Sequence, residues 1–349
     1  MAPFNYLFMT PLTDSRLAVG IFFIISGFVL SYRFIGYRME PATFVKTLVA
    51  RYIRLTIPIA VVSLLVLVFG FYSSFLHNIK ATALEPKWGY DPFYTFNPSF
   101  TDALKFSFWN VFLNYDNNHT YIPPAWTMPR ELLGSYFIYT TVFIAGFHNY
   151  WNRRRLFITM IAVSAFLVLN LRFHYTAFFL YGYLLAEYYK SNTTSNQTSP
   201  NNRVAFLAFI ALMIFSSFRS PDRSVFLPLV GMSLIVVWSV LYSQRLSAFF
   251  SNRVSLFLGK ISFPLYLIHV PIYCTFSSWL ISWLYGLGFN QLQTYSMVYL
   301  TSLPLVIISA YFLYPMERFA IDVSRRISRF SLKAFFNNLS LDTKTGVEI

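Results

Sequence analysis

The chain has 349 residues, 56% hydrophobic and 21% aromatic with only 11% charged, and its mean hydropathy is +0.52. A soluble domain carries about a quarter charged residues, so this composition excludes an ordinary soluble globule and fits one polytopic helical bundle. The 27 Lys and Arg exceed the 13 Asp and Glu by a net +14, which in a soluble chain would point to nucleic acid. In so apolar a chain the positive-inside rule accounts for the excess, and no nucleic-acid partner is expected.

A membrane-crossing helix needs about 20 mainly apolar residues. Runs of this kind fall at 17–35, 56–76, 130–148, 155–173, 174–190, 203–219, 225–243, 262–285 and 295–315. They predict an all-α transmembrane bundle of about nine helices. Only helices and closed barrels satisfy the backbone in lipid, and these runs are too long for barrel strands. Residues 1–15 hold no Lys or Arg, so the basic start of a signal peptide is missing. Nineteen of the 27 Lys and Arg fall on one side of the runs and eight on the other. The positive-inside rule makes the richer side cytoplasmic. Residues 1–16 are then an extracytoplasmic N-terminus, 17–315 the transmembrane domain and 316–349 a cytoplasmic tail, read as disordered from 336.

The longest connector, 77–129, falls outside the cytoplasm and is rich in Pro, Asn and aromatics, among them Trp88, Tyr90, Phe93, Tyr94, Phe96 and Phe100. So many rings predict a segment folded back on the bundle as a lid rather than a loose loop. It contains the sequon Asn118-His119-Thr120, available to a host that glycosylates; Asn192, Asn196 and Asn338 open others on the inner side. Residues 191–202 read as a low-complexity polar linker. The single cysteine, Cys274, reads as a small buried apolar residue and forms no metal cluster.

Soluble-enzyme signatures are absent: no phosphate-binding glycine loop, no H-E-x-x-H, no G-x-S-x-G. Any chemistry therefore rests on the few polar groups at membrane depth, which are costly there. His269 lies in the run Tyr266-Leu267-Ile268-His269-Val270-Pro271. It is suited either to general-base work or to capping carbonyls that Pro271 frees. Glu131 follows Trp126-Thr127-Met128-Pro129-Arg130. It either complements a helix dipole or binds and activates a hydroxyl. Arg51 and Arg54, in Arg51-Tyr52-Ile53-Arg54-Leu55-Thr56-Ile57-Pro58, anchor a helix in headgroups or grip phosphates of a nucleotide-bearing donor. Ser26-Gly27 is a small-residue pair of the kind that lets helices approach closely.

Together these stretches resemble the membrane-bound acyltransferase 3 family. Phe22 to Phe28 match its F-F-x-x-S-G-F/Y motif, and Arg51, Arg54, Leu55 and Pro58 its R-x-x-R-L-x-x-P element. Trp126, Thr127 and Glu131, followed by Gly134-Ser135 as in fungal members, match W-T/S-x-x-x-E. Tyr266, Leu267, His269 and Pro271 match Y-L-x-H-x-P. The resemblance covers about residues 15–315. It implies transfer of an acyl group, often acetyl, from acyl-CoA as co-substrate to a hydroxyl of a carbohydrate or lipid-linked acceptor, with no bound cofactor. On that reading Arg51 and Arg54 hold the donor phosphates, His269 helps orient the thioester, Tyr266 and Ser26 bind substrate, and Glu131 with Trp126 serves the acceptor from the outer side, with His269 and Glu131 the catalytic pair. The family's first helix, with an Arg and a His thought essential, has no counterpart here, which implies an impaired enzyme. The rival expectation is a non-catalytic multi-pass protein, a transporter or degenerate paralogue.

Overall fold

In a computed structural model the described residues are 15–84, 93–147, 160–163, 174–194, 202–217 and 226–342. Every regular element among them is helical. The chain divides into two compact units, Met1–Leu48 with Leu133–Leu256, and Val49–Leu132 with Phe257–Ile349.

In the first unit, α1 (Ser15–Tyr32) is apolar almost throughout. It packs on a later helix of the same unit, α6 (His174–Thr194). The close approach has a simple cause. A Cβ on Gly27 would overlap the Phe179 backbone carbonyl, and one on Gly182 would overlap the Ile24 carbonyl. Only glycine on both sides lets these backbones meet, so the packing expected of Ser26-Gly27 is what forms. Phe23, Ile24, Phe178, Phe179 and Tyr183 fill the core beside the crossing. At its far end the turn after α1 is tied down where Lys190 Nζ donates to the Ile35 carbonyl at 2.7 Å. Helices α7 (Asn202–Ser217) and α8 (Phe226–Tyr242) complete this unit with the short α9 (Gln244–Phe250). The chain bends by 94° between Pro228–Tyr242 and Gln244–Phe250. Ser243 caps the new helix by accepting from the Leu246 N–H.

Helix α2 (Pro41–Leu65) continues as a π-helical turn, Val66–Tyr72, and α5 (Met128–Phe147) starts in the second unit. In that second unit α10 (Arg253–Ile272) runs through a π turn, Tyr273–Ser277, into α11 (Ser278–Gly286). Pro271 brings no N–H to the backbone ladder, and its carbonyl accepts from Thr275 Oγ1 at 2.8 Å. Helix α12 (Gln291–Asp342) is the longest element, about 78 Å at 1.5 Å per residue. It passes beyond residue 336, where a disordered tail was expected.

Among the described residues four helices are long and apolar enough to cross a membrane: Ser15–Tyr32, Pro41–Tyr72, Arg253–Gly286 and Gln291–Ile327; the pair bent by 94°, counted as one span, makes a fifth. The chain is an integral membrane protein built of helices. Helices also stand at the expected positions 130–148, 174–190 and 203–219. The expected span 155–173 lies outside the described residues apart from 160–163, as do Trp88, Tyr90, Asn196 and most of the N-terminal segment.

The connector packs back on α2. It contains α3 (Asn78–Leu84), α4 (Phe100–Lys105), a π turn at Phe106–Asn110, the helical turn Val111–Leu113 and a 3-10 turn at Pro123–Thr127. Near the end of α2 it forms a ring cluster. Phe71 sits 5.7 Å from Tyr94, 5.3 Å from Phe96 and 6.1 Å from the fully buried Tyr121. The Tyr121 hydroxyl donates to Asp102 Oδ2 at 3.0 Å. Burial first, and then this carboxylate, push the Tyr121 phenol above its ordinary pKa, so it stays a donor. Farther along, Tyr52 packs on Phe112 at 5.3 Å and its hydroxyl donates to the Phe108 carbonyl. Phe71 and Tyr52 are about 28 Å apart along α2, so the connector follows much of its length. Phe100, Phe108, Trp109 and Leu113 leave apolar side chains exposed on it.

Candidate active site

Six of the seven residues singled out by sequence fall in the second unit: Arg51, Arg54, Trp126, Glu131, Tyr266 and His269. Ser26 belongs to the first, partly buried on α1 beside Gly27.

Glu131 and Arg51 form a direct ion pair between Glu131 Oε1 and Arg51 Nη2. Their side chains are only 1% and 10% exposed. Arg51, assigned by the resemblance to donor phosphates, and Glu131, assigned to the acceptor, are thus partners in one pair. Arg51 stands ten residues into α2, and Glu131 opens α5 after a turn buried almost completely. The packing of the connector brings Glu131 beside Arg51. A spacing argument places each residue on its own helix, whereas the path of a connector is decided by packing. Arg54, one turn farther along α2, is 44% exposed and pairs with Glu317 of α12 at 3.4 Å. Of the two arginines it is the one whose head remains open to a ligand.

The 3-10 turn Pro123–Thr127 leads straight into α5, with Pro at its start to preset the backbone. Two phenols hold it. Tyr266, from α10, donates to the Pro124 carbonyl and shares a 2.7 Å hydrogen bond with the Thr127 hydroxyl. Tyr115, from the connector, donates to the Pro123 carbonyl at 2.7 Å. Burial raises its pKa, keeping the proton in place. The Arg130 guanidinium carbon lies 4.9 Å from the Trp126 ring centroid, and its Nη1 donates to the Trp126 carbonyl. The tryptophan therefore has a fixed backbone and a cation on one face.

His269 stands one turn beyond Tyr266, with ring centroids 6.0 Å apart. Its Nδ1 lies 2.8 Å from the Tyr266 carbonyl and 3.2 Å from that of Leu265. The carbonyl freed by Pro271 is that of Leu267, four residues back, so the capping role considered for His269 is not the one it performs. Carbonyls only accept. Nδ1 must therefore carry the proton, which leaves Nε2 of a neutral ring with its lone pair. Tyr266 thus joins the turn bearing Trp126 to the helix bearing His269.

Tyr115, Arg130 and Glu317 went unrecognised in the sequence reading. Tyr115 is one tyrosine of 25 and sits in no motif. Arg130 gave a weak signal by adjoining Glu131.

With this geometry in view, the comparison with known families is decisive. Residues 2–315 match the acyltransferase 3 model, described as an acyltransferase domain, and so include all seven of these positions. The chain belongs to the acyltransferase 3 family. It is a membrane acyltransferase that moves groups other than aminoacyl groups. No curated protein and no solved structure matches this acyltransferase.

Proposed function

We propose that this acyltransferase moves an acyl group, acetyl in the first instance, from acyl-CoA to a hydroxyl of a carbohydrate or lipid-linked acceptor. The observation that carries the reading is His269 Nδ1 set against the Tyr266 and Leu265 carbonyls. A ring held by carbonyls at Nδ1 presents Nε2 as a base to a hydroxyl in the same unit as the Glu131–Arg51 pair. In the reaction the acceptor oxygen attacks the thioester carbonyl while Nε2 takes its proton. The carbon–sulfur bond breaks, and the proton passes to the leaving coenzyme thiolate. Glu131, oriented by Arg51, hydrogen-bonds the acceptor; Trp126 supplies an apolar face to it. Arg54 serves the donor phosphates at the basic end of α2. Ser26, on α1, is assigned to substrate binding. No metal or bound cofactor has a part in this scheme.

The bundle around this site has about nine spans over 17–315, with 1–16 outside and 316–349 in the cytoplasm, so that the coenzyme enters from the basic side. Acyl transfer from labelled acetyl-CoA, measured in membranes holding the whole chain, tests the reading. His269→Gln is expected to lower kcat by about 10²–10⁴ with expression unchanged, the usual share of a general base. Full turnover by that variant removes His269 from the mechanism.

A further inference from the structure

The turn Pro123–Thr127 carries Trp126 and leads directly into the helix of Glu131. Three of its polar groups are met by two phenols. Tyr266 accounts for the Pro124 carbonyl and the Thr127 hydroxyl. Tyr115 accounts for the Pro123 carbonyl at 2.7 Å. Just before the turn, the Thr120 hydroxyl accepts from the Ile122 N–H at 3.2 Å. Pro123, Pro124, Ala125 and Thr127 are all buried, so water does not replace either phenol.

We infer that Tyr115 is a positioning residue for the acceptor: its hydroxyl fixes the backbone of the turn that presents Trp126 and leads to Glu131. The inference rests on the proposed role of Trp126 and Glu131 toward the acceptor and adds a residue outside every recognised motif. Tyr115 does not touch the reacting atoms. Without its hydroxyl the Pro123 carbonyl loses this partner, the turn samples other arrangements, and the Trp126 ring is no longer held where the acceptor needs it. Donor binding, assigned to Arg54 on α2, does not depend on this turn.

The test uses Tyr115→Phe in the whole chain, which keeps the ring and its packing, with Tyr94→Phe as control. Tyr94 is also a buried phenol of the connector, but it donates to the Tyr121 carbonyl, at 3.2 Å, and not to the turn. Two measurements are made. Hydrogen exchange over residues 122–128 is expected to quicken in Tyr115→Phe and to stay at the wild-type rate in Tyr94→Phe. In acyl transfer, KM for the acceptor is expected to rise about tenfold in Tyr115→Phe, the factor given by losing one ordinary hydrogen bond, with KM for acyl-CoA unchanged. Unchanged exchange overturns the clamp. Faster exchange with unchanged acceptor KM, or equal loss for both substrates, reduces Tyr115 to a structural part and overturns the positioning role. A wild-type chain that transfers no acyl group while keeping the exchange difference overturns the functional reading itself, and the role with it.

Discussion

The Arg51–Glu131 pair offers the sharpest quantitative test of this site. Both charges are almost wholly withdrawn from solvent, so removing one leaves the other buried without its counter-ion. Breaking a buried pair costs about 3–5 kcal/mol, and removing both charges together costs far less. In a bilayer the lower end applies, because a stranded arginine snorkels and the membrane-bound unfolded chain finds other partners. Arg51→Met and Glu131→Leu are therefore each expected to cost about 3 kcal/mol. The double variant should lie within about 1 kcal/mol of wild type, a coupling of about 5 kcal/mol in the cycle. In a protein of this size each kcal/mol moves Tm by about 2 °C, so each single variant melts about 6 °C lower and the double recovers most of that. The assay is thermal unfolding in nanodiscs, with acyl transfer measured on the same samples. The double variant should be stable and inactive, since Glu131 is assigned to the acceptor. Strictly additive losses would refute the ion pair; a stable double variant with full turnover would refute the role of Glu131.

Two further outcomes follow from other parts of the fold. Gly27→Ala places a methyl on the Phe179 carbonyl, so overpacking should cost about 1–3 kcal/mol, read as a lower Tm, while Gly36→Ala tests only the strain of its own positive φ because a Cβ there meets nothing within 4 Å. His77, in the short link after α2, has its pKa lowered by burial and then by Lys80. A lowered folded-state value means the neutral ring is favoured by folding. Its contribution is complete above the unfolded value of about 6.5 and is lost as the pH falls through the folded value. Wild type should therefore lose more stability than His77→Gln between pH 7 and pH 5 in unfolding curves; parallel losses would remove His77 as a source of acid sensitivity.

The family, the helical class and the membrane setting were all written in linear order along the chain. Long apolar runs dictate helices because lipid offers the backbone no partner, and motif residues such as Arg51, Glu131 and His269 keep their spacing whatever surrounds them. Gly27 was also legible, since a small residue in an apolar run has few other uses. What remained hidden arises from contacts between distant segments. Arg51 and Glu131 are 80 residues apart, and Thr127 and Tyr266 are 139. No periodicity brings them together; the connector does so by packing Phe108 and Phe112 along α2 down to Tyr52. Tyr115 could not be chosen from 25 tyrosines until the Pro123 carbonyl stood in front of it. The tautomer of His269 was equally out of reach. A proton settles on one ring nitrogen only when a particular carbonyl is placed opposite, and local sequence carries the ring without its orientation.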